Sequence, residues 1–259
     1  MRLTLLGTGT SFGVPQIGCD CAVCRSPDPR DRRHRTAAAV TVGTTTILID
    51  TPPELRVELL AAGIDRVDAV LFTHEHADHV SGIDDLRMFS LRQRAALPVY
   101  ANAATADFLT TSYRYIFDEG IVPIPGTSKP RLLLETIRPG QPFQAAGIEV
   151  LPLGFSHGRV EVLGFRIGRI AYVTDVKAVP PEARAALRDL DVLVLNALWW
   201  REHPTHQSIP EAIAAAQAIG ARRTVLTHLT HETGHAALAA ALPDGIEPGY
   251  DGLILEVAE

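Results

Sequence analysis

The sequence has few of the features that mark a secreted or membrane-spanning protein. Its 259 residues include three cysteines, an odd number that cannot be paired completely within one chain. No apolar run approaches the roughly 20 residues that a membrane-spanning helix needs. Residues 1–7 lack the apolar core and the cleavage site of a secretory signal. We therefore expect a cytoplasmic protein with no membrane partner.

The sequence also lacks an excess of positive charge. Its formal net charge is −6 and its pI is near 5.9, which argues against an extended basic surface for nucleic acid. One local exception is a run of arginines, Arg30, Arg32, Arg33 and Arg35. The run fits a solvated loop, or a loop that folds toward a site and neutralises a phosphate. In the second case Arg33 and Arg35 are the candidates for binding substrate.

Long linkers and low-complexity stretches are absent too. Strand-like and helix-like segments alternate, and 259 residues with 46% hydrophobic content can bury the core of one α/β domain. We expect a single domain over residues 1–259. Strands are predicted at residues 3–6 and, as a hairpin about Gly43, at 37–42 and 44–50. Helices are predicted at residues 53–62, 82–92, 103–117, 181–190, 210–219 and 235–242.

One seven-residue segment concentrates groups that bind metal ions. Residues 73–79 read Thr-His-Glu-His-Ala-Asp-His and follow the apolar, strand-like run 67–72. Ions such as Zn²⁺ or Mn²⁺ take imidazole nitrogen and carboxylate oxygen, and His74, His76, Asp78 and His79 supply four such groups in one short loop. A chance cluster of surface polar residues is the alternative. The position after a strand favours a metal site.

Three later strand-like runs each end in a further possible ligand. Residues 148–153 precede Gly-Phe-Ser-His-Gly and its His157, residues 170–175 end in Asp175, and residues 223–228 end in His228. Any one of these side chains taken alone is more often a cap or a solvated group. Their joint occurrence after separate strands is what favours a shared site.

Together these motifs resemble the metallo-β-lactamase superfamily. The resemblance implies a four-layer αββα sandwich and an active site with two divalent metal ions, zinc or manganese, bridged by a hydroxide that attacks the substrate. It implies one ion held by His74, His76 and His157, a second held by Asp78, His79 and His228, and Asp175 between them. Asp78 is then both a ligand and a candidate catalytic residue.

The second informative cluster holds all three cysteines, Cys19, Cys21 and Cys24. Thiolates are soft ligands that suit Zn²⁺, and a closed structural site needs a fourth ligand from elsewhere in the chain. Disulfide pairing is the rival, but it leaves one thiol free. Three unrelated buried cysteines would not be expected to cluster. We predict a Cys-rich zinc knuckle in a loop at about residues 16–35.

The Cys-x-Cys-x-x-Cys pattern narrows the resemblance to the phosphoribosyl cyclic phosphodiesterase (PhnP-like) group. In that group a structural zinc is bound by three cysteines and one histidine, and the matching position here is His231. The group also has a histidine proposed to act as an acid or base, or to bind phosphate. His206 matches by position, and His203 is a nearby competitor.

The resemblance implies a phosphodiesterase for a small, cyclic phosphodiester of ribose or of a nucleotide. One alternative is an RNA-processing endonuclease of the same fold, against which the acidic balance of the chain argues. A second alternative is a metal-binding or nucleotide-sensing module without turnover. Assembly into a homodimer is left open.

Two further motifs resemble catalytic signatures without the context that these need. Residues 154–158 match the serine-hydrolase elbow, but the following residues 160–167 are predicted to form a strand and not a helix. Residues 231–235 match the zincin pattern, which requires both imidazoles on one helix face, and Gly234 weakens that helix.

Overall fold

The computed structural model describes residues 1–258, which contain two seven-stranded sheets. The first sheet has the order β14-β1-β2-β3-β4-β5-β6. Its strands are β1 (Arg2–Gly7), β2 (Ala37–Val42), β3 (Thr45–Ile49), β4 (Ala69–Leu71), β5 (Leu97–Ala101), β6 (Leu132–Thr136) and β14 (Ile254–Glu256). The pairs from β3 to β6 are parallel, and β2 and β3 form the predicted hairpin.

The second sheet has the order β13-β12-β11-β10-β9-β8-β7. Its strands are β7 (Phe143–Ala145), β8 (Ile148–His157), β9 (Val160–Ile167), β10 (Ile170–Val173), β11 (Val192–Asn196), β12 (Arg223–Thr227) and β13 (Ile246–Pro248). Strands β10 to β13 are parallel, whereas β7 to β10 run antiparallel. Residues 160–167 are therefore a strand, as predicted, and the serine-hydrolase elbow is absent.

Three apolar layers separate these sheets from each other and from the helices. Leu5, Leu71 and Phe165 belong to the cluster between the two sheets. A second cluster packs the first sheet against its helices, and a third does the same for the other sheet. Burial of apolar surface on both sides of each sheet is the main stabilising contribution in such an arrangement. The predicted four-layer αββα sandwich is confirmed.

Most of the predicted helices are shorter or more interrupted than the sequence pattern predicts, whereas the helix predicted over residues 210–219 is present in full. The helices are α1 (Leu55–Ala61), α2 (Ala77–Val80), α3 (Arg87–Gln93), α4 (Ala103–Ser112), α5 (Arg114–Phe117), α6 (Pro181–Ala186), α7 (Ile209–Ile219) and α8 (His235–Ala241). None of the described helices is long and apolar enough to cross a membrane. Helix α7 has a complete cap, since Ser208 accepts from the Glu211 N–H and the Glu211 carboxylate accepts from the Ser208 N–H.

The helix predicted over residues 82–92 is wrong in its first half. A 3₁₀ turn occupies Ile83–Leu86 and precedes α3. Gly82 lies against the backbone of the preceding loop, where a Cβ atom would be 2.1 Å from the Pro52 carbonyl oxygen. This close approach fixes Gly82 beside Thr51, whose carbonyl accepts its N–H at 2.8 Å. The predicted helix over residues 103–117 is likewise divided at Tyr113 into α4 and α5.

Candidate metal centre

The candidate ligands lie at the ends of strands of both sheets or in the segments that follow them. Residues 73–79 follow β4, His157 ends β8, Asp175 follows β10 and His228 follows β12. The backbone of Asp175 and His228 is left-handed, with φ of 61° and 60°. Such conformations are uncommon outside glycine and cluster where a side chain must be aimed at a site. The structure thus brings residues distant in sequence to one edge of the sandwich.

One group of possible ligands consists of His74, His76 and His157. One ligand atom from each side chain lies within 4.8 Å of the others. His74 Nε2 is 2.9 Å from His76 Nδ1. The structure therefore assembles the three histidines that the sequence assigned to the first ion.

A second group consists of Asp78, His79, Asp175 and His228, also within 4.8 Å of one another. His79 Nε2 is 3.4 Å from Asp78 Oδ2 and 3.6 Å from Asp175 Oδ2. His228 Nε2 is 3.2 Å from the same Asp175 oxygen. That oxygen is also 4.0 Å from His74 Nε2 in the first group. Asp175 thus lies between the two groups, as expected for a shared ligand.

Hydrogen bonds behind the ligands fix which ring nitrogen faces the site. His79 Nδ1 is 2.7 Å from Asp50 Oδ2, and Asp50 also accepts the N–H and the hydroxyl of Thr73 at 2.8 Å each. His157 Nδ1 donates to the Thr205 carbonyl at 3.1 Å. In both rings Nε2 is left for a metal ion, the usual arrangement for a histidine ligand supported by an oxygen acceptor.

Asp50 is a functional residue that the sequence reasoning missed. The sequence pattern places it only at the end of the strand predicted over residues 44–50. Its carboxylate is fully buried, and its φ of 65° turns it toward His79. An acidic residue ending the strand adjacent to the metal motif is the signal that could have identified it.

The carboxylates make the second group strongly favourable for positive charge. Burial by itself lowers the pKa of His79, but Asp78, Asp175 and Asp50 outweigh it and hold that pKa well above its usual range. Burial by itself raises the pKa of Asp175, but the charged rings of His228 and His79 outweigh burial and hold that pKa well below its usual range. A pocket that stabilises imidazolium also stabilises a divalent cation.

Unpaired buried atoms test whether this chemistry fits a metal ion. His79 Nε2 and both ring nitrogens of His228 are buried without a hydrogen-bond partner. Buried polar atoms are rarely left unpaired, because the loss of water must be compensated. Imidazole nitrogens and carboxylate oxygens around a shared space are the donor set that divalent zinc or manganese accepts. The residues present therefore fit the ions that the sequence motif implies.

His206 and His203 have different positions relative to this centre. His206 is buried, its Nδ1 is 3.9 Å from Asp175 Oδ2, and its ring stacks on that of His228 with centroids 4.7 Å apart. Burial and the charge of His228 lower the pKa of His206 to about 3. His203 Nδ1 instead accepts the N–H groups of Thr205 and His206 at 3.3 Å each. This geometry favours His206 at the site and His203 as a support of its loop.

The cysteines and His231 form a separate cluster. Cys19, Cys21 and Cys24 Sγ lie 3.4, 3.3 and 3.5 Å from His231 Nδ1. A tetrahedral zinc with ordinary bond lengths separates sulfur and nitrogen ligands by about 3.6 Å, so the four side chains fit such an ion. The pKa of Cys21 is lowered to about 6, mainly by the hydrogen bond from the Cys24 N–H and to a smaller extent by the contact with His231. This shift favours the thiolate form of Cys21. Because α8 begins only at His235, residues 231–235 do not form a zincin helix.

The structure contradicts the predicted substrate-binding role of Arg33. Its side chain is 1% exposed, and its guanidinium donates to the carbonyls of Thr230 and Thr233 and lies 3.5 Å from Asp31. Arg33 therefore ties the knuckle loop to the segment after His228.

Arg35 is also engaged within the protein and not directed at a phosphate. Its guanidinium pairs with Glu54, and its Nε donates to the Ser11 carbonyl at 2.8 Å. A salt bridge to a half-buried carboxylate leaves little positive charge for a substrate. The predicted role of Arg35 in binding substrate is thus not supported by its contacts.

Comparison with known proteins identifies the family to which the fold belongs. A family model described as a beta-lactamase superfamily domain matches residues 45–229. The solved structure of a new diphosphatase from the PhnP family is 38% identical and has a TM-score of 0.90, covering 98% of this chain and 97% of that chain.

Two curated relatives have different names. An octanoyltransferase of Porphyromonas gingivalis is 44% identical over 98% of this chain and 51% of its own length. A ribonuclease Z of Bradyrhizobium sp. is 30% identical over 62% of this chain and 48% of its own length. The chain spans about half the length of these relatives, so neither name assigns an activity to it. The matching model and the closely similar structure show that the chain belongs to the metallo-β-lactamase superfamily and resembles the PhnP family within it.

Proposed function

We propose that the chain is a metal-dependent hydrolase that cleaves a small phosphodiester. The observation that carries this proposal is the convergence of His74, His76 and His157 with Asp78, His79, Asp175 and His228 on one buried space. Two divalent ions held there would supply a strong nucleophile from water at neutral pH and would neutralise charge on phosphoryl oxygens. A cyclic phosphodiester of ribose or of a nucleotide is the substrate class that the PhnP-like motifs favour.

The protein's own side chains would orient the reaction. Asp50 fixes the tautomer and the direction of the His79 ring through their 2.7 Å contact. Burial and the charge of His228 lower the pKa of His206 to about 3. The ring would bind a phosphoryl oxygen through its N–H, or would protonate a departing alkoxide after taking up a proton from solvent. Its Nδ1 is buried without a partner, which leaves that nitrogen available to substrate.

The structural zinc is a separate part of the proposal. Cys19, Cys21, Cys24 and His231 would hold it with no open position, so we assign it to stability and not to chemistry. Together with the buried Arg33, it would join the N-terminal loop to the segment after His228.

A diphosphate ester is the second candidate substrate. It is favoured by one observation, the 38% identity of this chain to a PhnP-family diphosphatase over 97% of that protein. Both reactions displace an oxygen from phosphorus and would use the same ligands, so the fold does not choose between them. RNA processing has a weaker basis, because the ribonuclease Z relative matches only 62% of this chain.

Turnover of bis(p-nitrophenyl) phosphate tests the proposal. The metal-depleted protein should be inactive and should recover with Mn²⁺ or Zn²⁺. Asp175→Asn should remove the recovered activity. Glu75→Gln is the matched control, because Glu75 lies inside the same motif but accepts a hydrogen bond from Thr105 Oγ1 at 3.2 Å. No turnover with either ion by a folded protein would contradict an enzymatic role and favour a sensor.

A substrate panel then separates the enzymes. It should contain a ribose cyclic phosphate, a 2′,3′-cyclic nucleotide, a nucleoside diphosphate ester and a transfer RNA precursor. We expect the highest kcat/KM with a small cyclic phosphodiester. A higher value with the diphosphate ester would favour the second candidate, and selective cleavage of the RNA would overturn both.

A further inference from the structure

A cavity of about 260 Å³ lies between the metal centre and the Cys-rich knuckle. His206 and His228 line it on the side of the metal centre, and Gln16 and His231 line it on the side of the knuckle. A group bound in this cavity would therefore be continuous with a phosphoryl group at the metal centre. The volume suits one mononucleotide-sized group and not a folded RNA.

Phe12 forms part of the cavity wall and is exposed to an unusual degree. It is 71% exposed, the highest value among the aromatic side chains of the described chain. Its backbone is nevertheless well fixed. Gly13 donates to the Thr10 carbonyl at 2.8 Å, and Val14 and Arg33 exchange two hydrogen bonds of 2.8 Å. A rigid turn that holds an apolar ring in water is typical of a binding surface.

Trp199 contributes a second aromatic wall. Its indole Nε1 is buried without a hydrogen-bond partner. The Arg201 guanidinium covers one face of the ring at 3.6 Å from its centroid, and Arg201 is itself held by Glu232. The indole is thus fixed in place as a wall of the cavity.

The wall on the knuckle side is held by the proposed zinc ligands and by Arg33. Gln16 donates its N–H to Cys24 Sγ at 3.4 Å and accepts the Cys19 N–H at 3.1 Å. Thr230, which also lines the cavity, has its carbonyl bound by the Arg33 guanidinium. The cavity is therefore preorganised before any ligand arrives, which lowers the cost of binding.

From these observations we infer that the cavity is the subsite for a planar heteroaromatic group of the substrate, a nucleobase that stacks on Phe12 beside the Trp199 side chain. The inference rests on the proposed function and chooses a nucleotide over a bare ribose phosphate. Base stacking on an aromatic side chain tolerates any base, so the subsite selects for the presence of a base and not for its identity.

Kinetics of Phe12→Ala on paired substrates test this subsite. The pair is adenosine 2′,3′-cyclic phosphate and methyl riboside 2′,3′-cyclic phosphate, which share the scissile bond and differ in the base. We expect kcat/KM to fall by roughly tenfold for the first substrate, mainly through KM, and to stay unchanged for the second. Ile17→Ala is the matched control, because Ile17 is fully exposed in the same loop and does not line the cavity.

Equal losses on both substrates, or equal kcat/KM for both substrates in the unaltered protein, would overturn the subsite. Equilibrium binding of adenosine 5′-monophosphate to the metal-loaded protein, with and without Phe12→Ala, gives a readout that needs no turnover. If the protein hydrolyses phosphodiesters but binds the nucleotide equally in both forms, the subsite fails and the proposed function stands. If it binds the nucleotide through Phe12 but hydrolyses no phosphodiester, the proposed function fails and the subsite stands.

Discussion

The metal centre and the Cys-rich knuckle bring their ligands together in different ways. The knuckle takes three ligands from six consecutive residues and only His231 from elsewhere. The metal centre takes ligands from loops after strands of both sheets, and its rings are backed by further side chains such as Asp50. The knuckle has sulfur ligands and no carboxylate, whereas the centre has buried carboxylates shared between histidines.

This difference separates a closed site from an open one. Under the proposal, the four side chains of the knuckle would satisfy a zinc ion completely and would leave no position for a substrate. The ligands of the centre are divided between two groups with Asp175 near both, and a cavity adjoins them at His206 and His228. We therefore expect changes at the centre to affect the rate and changes at the knuckle to affect stability.

The largest effect is expected for Asp175→Asn. Loss of the shared carboxylate should lower kcat/KM by more than the roughly 10²–10³-fold that one electrostatic group supplies, and should reduce the metal content. Rate assays and metal analysis of the same folded sample measure both. An unchanged rate with full metal content would refute the ligand assignment.

His206→Ala should have an effect that depends on the leaving group. For a poor alkoxide leaving group we expect a loss of roughly 10²–10⁴-fold, and for a nitrophenolate a small loss, since the latter leaves without protonation. A uniform loss would instead indicate phosphate positioning. His157, Asp175 and His206 also form a possible ligand set, so metal analysis is needed. A missing ion in the folded variant would make His206 a ligand.

Asp50→Asn should lower metal affinity or activity by roughly 10–100-fold, the usual effect of removing the oxygen partner of a histidine ligand. The asparagine retains the shape but not the charge that faces His79. Titration of the apoprotein with Zn²⁺ and steady-state rates would measure it. Asp68→Asn is the matched control, because the Asp68 carboxylate accepts the N–H of Thr46 at the other end of β3.

Cys24→Ser tests the other half of the comparison. We expect one ion fewer per chain and a melting temperature lower by roughly 5 °C or more, because the proposed zinc would tie distant segments together. The rate on a substrate without a base should be nearly unchanged. Asp20→Asn in the same loop should change neither property. Equal metal content in the Cys24 variant and the unaltered protein would contradict the structural zinc.

Glu58→Gln tests how a buried carboxylate that belongs to neither metal site affects the pH dependence of stability. Glu58 is 2% exposed and neither oxygen has a hydrogen-bond partner, although His34 Nδ1 lies 4.0 Å from Oε1. Burial, with the charges of Asp251 and Glu54, raises the pKa of Glu58 to about 9 from 4.5. Between pH 4.5 and about pH 9, Glu58 keeps its proton in the folded protein and releases it in the unfolded chain. The free energy of unfolding therefore falls as the pH rises through this range.

The glutamine variant carries no such proton. Denaturant unfolding at about pH 5.5 and about pH 8.5 should therefore show a smaller loss of stability with pH in Glu58→Gln than in the unaltered protein. Metal content and activity should be unaffected. Parallel pH profiles would contradict the assignment.

Much of the fold and the local part of each ligand group could be predicted from sequence because they depend on local order. Residues 73–79 carry four possible ligands in one short segment, the cysteines lie within six residues, and apolar runs mark β2, β3 and β4. Helix interruptions could not be predicted in this way. The predicted helix over residues 82–92 does not form at its N-terminal end, where Gly82 contacts Pro52, a residue of another loop.

Only the tertiary structure decided which polar groups face the centre. Asp50 becomes the partner of His79 because β3 lies parallel to β4, and the same assembly buries Arg33 against the segment after His228. The sequence determined which side chains can bind metal, since that property belongs to each residue type. Packing determined which of them meet and which are exposed, because burial and distance are properties of the folded chain.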